Sequence, residues 1–301
     1  MSVEFKQEWA GKNLADLPDG ASGYKAKPAE QVLNEMTDGG VVITEAEDFM
    51  RAVPQTFSFP KVCNPLDYLK VLDQQQKGAC AGFTMAQIAS MNFWVATGGK
   101  RTQGFSGDAM YLLAQEYDKL LGRDVGSTPT ACAWVAQNIG VVPIESYGPT
   151  VKTYRDLKPV TDAHREAASD YKLSSIVRLK TYDQIYQFLG GGLGAVQCCS
   201  LWKQHFMESN LVDSFNGAKH ASGHGGGHSY TFNGYDENGN ILVTNSWNTR
   251  VHDEGGFLMT PDCVREMGQN SRTVWLGYSN MATSKAEPPG PRSIPFKASD
   301  Y

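Results

Sequence analysis

The sequence predicts a mixed fold in which helix and strand are segregated along the chain, with helices before about residue 165 and strands after it. Three observations predict it. Cys80 to Ala96 is an uninterrupted apolar-rich run of helical length. Ser106 with Asp108, and Thr128-Pro129, open two further helices. From Leu173 onward, short runs of aromatic and β-branched residues are separated by glycine and Asn-Gly breaks.

Taken in order, residues 1–55 carry ten acids against five bases and little apolar periodicity, so the whole net charge of -5 resides there. This segment reads as an extension outside the core. The helix over 80–96 carries Thr84, Ile88, Met91 and Val95 on one face, is closed by Gly98-Gly99, and is expected to be buried. Met110, Leu113, Tyr117 and Leu120 form the stripe of the next helix, and Gly140 ends the third. Leu173–Leu179 reads as a strand, and Thr181 with Gln184 is a capping box for a short helix stopped by Gly190-Gly191-Gly192. Strands follow over 193–199, 228–235, 240–247, 256–259 and 273–278, with Asn238-Gly239 marking a hairpin turn. The end is proline-rich from residue 286, which places the limit of the globular body near residue 280.

Composition excludes some functions. A chain of 301 residues with 41% hydrophobic content buries one large core or two ordinary ones. No block of lysine and arginine offers the footprint that a phosphate backbone needs, so nucleic acid is not an expected partner. The amino terminus lacks the apolar segment of a secretory signal and no run approaches the length of a membrane span. Six cysteines are too sparse for a disulfide scaffold, and reduced thiols point to a cytoplasmic or otherwise reducing compartment.

Cys80 stands at the first turn of the buried helix, where unpaired N–H groups and the helix dipole favour a thiolate. Most cysteines are inert small hydrophobes, so position alone does not single it out. Gln74, six residues upstream, can fold back beside the thiol and donate to a developing oxyanion, although Gln75 and Gln76 compete for that role. Gly78 lets the backbone turn tightly before the helix. His228 opens a strand whose hairpin partner runs through Asn245-Ser246-Trp247. A turn centred near 237 or 238 brings 228 opposite 246–248, and a bulge would bring Asn245 alongside the imidazole. An amide oxygen there fixes the histidine tautomer, and Trp247 can cover that bond, with an ordinary core tryptophan as the alternative. His220, His224 and His228 recur every four residues, but the glycines among them argue against a helix, and no metal site is assigned.

With these residues in hand, the chain resembles the papain family of cysteine peptidases. Gln74 through Cys80 to Phe83 resembles that family's Gln-x-x-x-Gly-x-Cys-x-x-Phe element, Gly227-His228 with Gly234-Tyr235 its histidine strand, and Asn245-Ser-Trp247 its Asn-Ser-Trp signature. Gly126-Ser127 is similar to its substrate-binding glycine pair, and 141–147 to a stretch of bacterial relatives. The similarity covers about residues 56–280. It departs at Lys77, where secreted relatives have a disulfide cysteine, at Ala81, where they have tryptophan, and at Asn248, which replaces a glycine.

The resemblance implies a two-lobed α+β fold, a helical lobe over about 56–165 and an antiparallel β-barrel-like lobe over about 166–280, with the active site in the cleft between. It implies a peptidase in which Cys80, His228, Asn245 and Gln74 are catalytic, and Gly126, Ser127, Gly227 and Trp247 bind a protein or peptide substrate. It implies no metal and no cofactor. Two rivals use the same arrangement: an inert papain-like scaffold, and an acyl-transfer or cell-wall amide hydrolase. Residues 1–55 are too short for the long helical propeptide of lysosomal members. Together with the tail over 281–301, they suit contacts within a larger assembly such as a virus particle, or an arm laid across the cleft.

Overall fold

The computed structural model describes residues 26–52, 71–207, 209–216, 226–249, 252 and 254–282. The outermost arms, 1–25 and 283–301, and the histidines at 220 and 224 lie outside the described residues. In chain order the elements are α1 (Ala29–Asp38), β1 (Ile43–Glu45), α2 (Ala46–Ala52), α3 (Cys80–Ala96), α4 (Gly107–Tyr117), α5 (Pro129–Asn138), α6 (Ile144–Tyr147), α7 (Asp162–Ser169), β2 (Lys172–Leu179), α8 (Tyr182–Gly190), β3 (Ala195–Leu201), β4 (Leu211–Val212), β5 (Gly227–Tyr235), β6 (Ile241–Thr244), β7 (Gly256–Met259), α9 (Pro261–Gly268) and β8 (Val274–Ala282). Helices dominate the first half and strands the second, as expected of the α+β class.

One eight-stranded sheet runs β1-β2-β8-β3-β5-β6-β7-β4. Its inner pairs are antiparallel, and the two short edge strands pair in parallel, β1 with β2 and β4 with β7. The expected barrel-like closure is corrected: the sheet stays open because β1 and β4 are edges that never meet. The β1 side is blunted by Gln137, whose amide both accepts from and donates to the Val42 backbone just before the strand.

The sheet separates two cores. On one face α3, α4 and α5 pack with Ile88, Met91, Trp94, Val135 and Tyr278; on the other, α8 and α9 cover Phe188, Trp202, Tyr230, Phe232 and Trp275. Fourteen of the seventeen residues of α3 are buried, so its apolar residues surround the helix and do not form a single stripe. Gly82 permits the close crossing of α3 on α4, since a Cβ there would sit 2.7 Å from the Tyr111 nitrogen and 2.9 Å from the Gly107 carbonyl. The reading of 1–55 as lying outside the core is corrected for 26–52. Val32, Leu33 and Met36 of α1 are buried in the α3 core, and Ile43 of β1 pairs with Ile176. Three apolar residues in one short helix suffice to dock it, although acids dominate the composition around them. Among the described residues, no helix is long and apolar enough to cross a membrane.

Candidate active site

Cys80 is the first residue of α3, and only 1% of it is exposed. Its helix opens differently from four others. Ser106, Thr128, Thr181 and Thr260 cap α4, α5, α8 and α9 by accepting a backbone N–H from inside the first turn. Ala79 offers no such acceptor to α3, and no acid lies in its first turn. The N–H groups and positive dipole end at Cys80 are therefore unopposed by a neighbouring side chain of the helix. The other described cysteines, Cys132, Cys198, Cys199 and Cys263, are also buried thiols. Burial pushes all four up, Cys198 to about 12, which keeps them protonated and unreactive at neutral pH.

His228 lies on β5 and is fully buried. Its Nε2–H donates to Asn245 Oδ1 at 2.9 Å, and the same oxygen accepts the Ser246 N–H at 2.7 Å, which fixes the orientation of the amide. Nδ1 is buried with no hydrogen-bond partner among the described residues. Burial lowers the imidazole to about 4, with the Asn245 bond working in the opposite direction. The expected bulge exists, between Phe232 and Gly234, and shifts the register by one residue, so that Thr231 faces Thr244. Continuing that register sets His228 opposite Trp247, and the two rings stack with centroids 4.5 Å apart. Asn245 reaches the imidazole from the diagonal position because β6 ends at Thr244 and the Asn245 N–H turns away to Gly255.

The segment that precedes α3 is stitched to the segment that follows β6. Gln74 N–H donates to the Ser246 carbonyl, Asn248 N–H to the Leu72 carbonyl, and Asn248 Nδ2 to Asp73 Oδ2. Asn248 has φ of 60, a left-handed conformation that asparagine tolerates better than most residues, which accounts for its standing where the resembling family has glycine. Of the three glutamines, Gln74 is fully buried, Gln75 is turned to Asp73 and Gln76 is exposed. Gln74 Oε1 accepts from Ser246 Oγ at 2.7 Å, and Nε2 gives one hydrogen to the Lys77 carbonyl at 2.7 Å, leaving its second. Lys77 itself is buried in an ion pair with Asp108, Nζ to Oδ1 3.2 Å, and also donates to the Val151 carbonyl. Burial raises the Asp108 carboxyl above its ordinary range, with Lys77 opposing.

Gly126 adopts φ of 87, and both of its backbone polar groups are used inside the protein, the N–H on Tyr111 Oη and the carbonyl on Gln115 Nε2. Ser127 is buried, its Oγ 3.9 Å from Cys132 Sγ. Gly227 is buried in β5 and pairs with Leu201. Trp202 escapes sequence reasoning because nothing in its local pattern marks it. Its ring stands edge-on to His228, Trp247 and Tyr230 at 4.8, 5.2 and 5.3 Å, which makes it the hub of the aromatic wall around the imidazole.

No protein-family model matches the chain, and no curated protein matches it. Solved structures do. The chain is similar to xylellain, a cysteine protease from Xylella fastidiosa, at 20% identity and TM-score 0.59 over 74% of this chain and 87% of that one. It is similar to procathepsin L2 of the Tenebrio molitor larval midgut at 17% identity and TM-score 0.62, over 86% and 78%. It is also similar to bromelain from Ananas comosus, solved with the E64 inhibitor, at 17% identity and TM-score 0.54, over 73% and 99%. The open sheet with α3 laid across one face, opening at Cys80, is thus the α+β fold of the papain-like cysteine proteases.

Proposed function

We propose that the protein is a cysteine peptidase that cleaves peptide bonds through a thioester, with Cys80 as nucleophile and His228 as general base and acid. The observation that carries this reading is the bond from His228 Nε2–H to Asn245 Oδ1. It fixes the tautomer and leaves Nδ1 as a buried basic nitrogen with no hydrogen-bond partner among the described residues. On a fold whose central helix begins with an uncapped cysteine, that nitrogen is the group available to exchange a proton with the thiol.

In this reading, ionisation of Cys80 raises the proton affinity of His228 that burial depresses, so that thiolate and imidazolium form as a coupled pair. The thiolate attacks the peptide carbonyl carbon, and the imidazolium proton passes to the leaving amine as the C–N bond breaks. Water, deprotonated by the same nitrogen, then hydrolyses the thioester. The backbone N–H of Cys80 and the second hydrogen of Gln74 Nε2 hold the oxyanion. With Gly126 committed internally, the Ser127 backbone is the part of the Gly126-Ser127 pair left for a substrate strand. Trp247 shields the histidine, and Gly227 keeps the wall beside it free of a side chain.

The test is intact-mass labelling by an epoxysuccinyl inhibitor, comparing wild type with Cys80→Ala and His228→Ala. Stoichiometric labelling that both substitutions abolish is the expected result, and a peptide-library screen then separates hydrolysis from acyl transfer. An unlabelled wild type would favour an inert scaffold. Any truncation used to open the site has to stop at residue 25, because α1, β1 and α2 belong to the folded body.

A further inference from the structure

Two loops meet at Gly78, two residues before Cys80. One, residues 74–79, leads into α3; the other, residues 122–127, ends at Ser127. They are joined by the side chains of two residues. Asp124 Oδ1 accepts the Gly78 N–H at 2.9 Å and the Tyr111 hydroxyl at 2.8 Å. The Tyr111 oxygen in turn accepts the Gly126 N–H at 3.0 Å and Gln115 Nε2 at 2.9 Å. One donor and two acceptor positions exhaust the capacity of a phenol hydroxyl. Tyr111 and Gln115 are fully buried in α4, and desolvation drives the Tyr111 phenol far above its ordinary range, so it remains a neutral donor. The two hydrogens of Gln115 Nε2 are shared among the Tyr111 oxygen and the carbonyls of Arg123 and Gly126, and Tyr154, which donates to Gln115 Oε1, accepts the Gly122 N–H. The loops also touch directly: a Cβ on Gly78 would lie 3.2 Å from both Asp124 Oδ1 and the Gly126 nitrogen.

We infer that Tyr111 and Asp124 are positioning residues. Tyr111, anchored in α4, holds Asp124 of the second loop, and together they fix the distance between the loop that aims Cys80 and the loop that presents Ser127, and so set the geometry in which a peptide strand meets the nucleophile. This rests on the peptidase reading for its consequence in catalysis, but the mechanical coupling stands apart from it. A network that merely added stability would not discriminate between loops, or between a large ligand and a small one. A clamp acts on both loops together and matters most for a ligand that spans them.

Four full-length proteins decide it: wild type, Tyr111→Phe, Asp124→Ala, and Asp124→Asn, whose amide oxygen can still accept both donors. Backbone hydrogen exchange of 75–80 and 122–127 is followed alongside the rates at which Cys80 reacts with a peptidyl epoxide and with iodoacetamide. Tyr111→Phe and Asp124→Ala are expected to speed exchange about tenfold in both segments, the equivalent of one lost hydrogen bond. They should slow the peptidyl reagent by about tenfold or more while iodoacetamide changes by less than about threefold, and Asp124→Asn should stay near wild type throughout. Faster exchange in 122–127 alone, equal losses for both reagents, or an Asp124→Asn as impaired as Asp124→Ala would overturn the inference. Should Tyr111→Phe fail to fold, the Asp124 pair makes the same comparison. If neither reagent labels wild-type Cys80, the peptidase reading fails, while exchange still decides whether the loops are coupled.

Discussion

Cys80 and Cys132 are buried thiols on helices that pack against one another, yet their surroundings differ at the helix start. Thr128 closes the first turn of α5 with its hydroxyl and Pro129 removes one of the unpaired N–H groups, so Cys132 sits further along a helix whose end is already satisfied. Its thiol is pushed up by burial. At α3 the helix begins with the cysteine itself, and Ala79 supplies no cap. Equal burial therefore leaves room for unequal chemistry. What separates the two sulfurs is whether a side chain caps the first turn of the helix that carries them.

The largest effect expected from this contrast is in reactivity. At neutral pH, peptide mapping after brief alkylation should find Cys80 modified at least about a hundredfold faster than Cys132 or Cys199, because only a thiolate is nucleophilic. Comparable rates would erase the distinction. Next in size, Lys77→Met leaves the Asp108 carboxylate buried without its partner and should lower stability to urea by about 3–5 kcal/mol. Lys77→Met with Asp108→Leu should recover most of it, which would show that the loop before Cys80 is held by pairing and not by charge as such.

Acid should act through His252. Burial depresses its imidazole to about 4, below the ordinary 6.5, so it stays neutral in the folded protein while the unfolded chain takes up a proton. Its contribution is fully present above pH 6.5 and is lost as pH falls toward 4, by about 1.4 kcal/mol per pH unit. Chemical melts of His252→Phe between pH 7 and 4 should show a shallower decline than wild type. The smallest effect belongs to the other helix: Thr128→Ala should cost about 1 kcal/mol of stability and leave the labelling of Cys80 unchanged.

Local pattern made the framework readable. The run from Cys80 to Ala96 coincides with α3, 256–259 with β7, and the Thr128-Pro129 and Ser106 signals with the caps of α5 and α4. The Asn238-Gly239 turn was legible too, with Gly239 at φ of 77. Thr181 accepts the Gln184 N–H, but Gln184 Oε1 reaches back to the Lys180 N–H and not to that of Thr181, so the capping box slips by one residue. The residues that escaped are those whose partners lie far off in sequence. Tyr111 meets Gly126, Asp124 meets Gly78, and Trp202 meets Trp247 by way of the tertiary fold, and no periodicity marks any of them. The same holds for α1, whose three apolar contacts are a property of the surface it docks on.

The order of the strands has a consequence for how the protein comes into being. β8, formed by nearly the last described residues, is not an edge strand but lies between β2 and β3, and it supplies the only ladder joining them among the described residues. A ribosome that has released residue 273 has therefore made His228, Asn245 and Cys80, but not the strand that connects the two parts of the sheet. Long-range pairing of this kind is slow, since the closure entropy is spent before the contacts form. A nascent chain that already contains Cys80, His228 and Asn245 thus still lacks the strand that unites the sheet behind them.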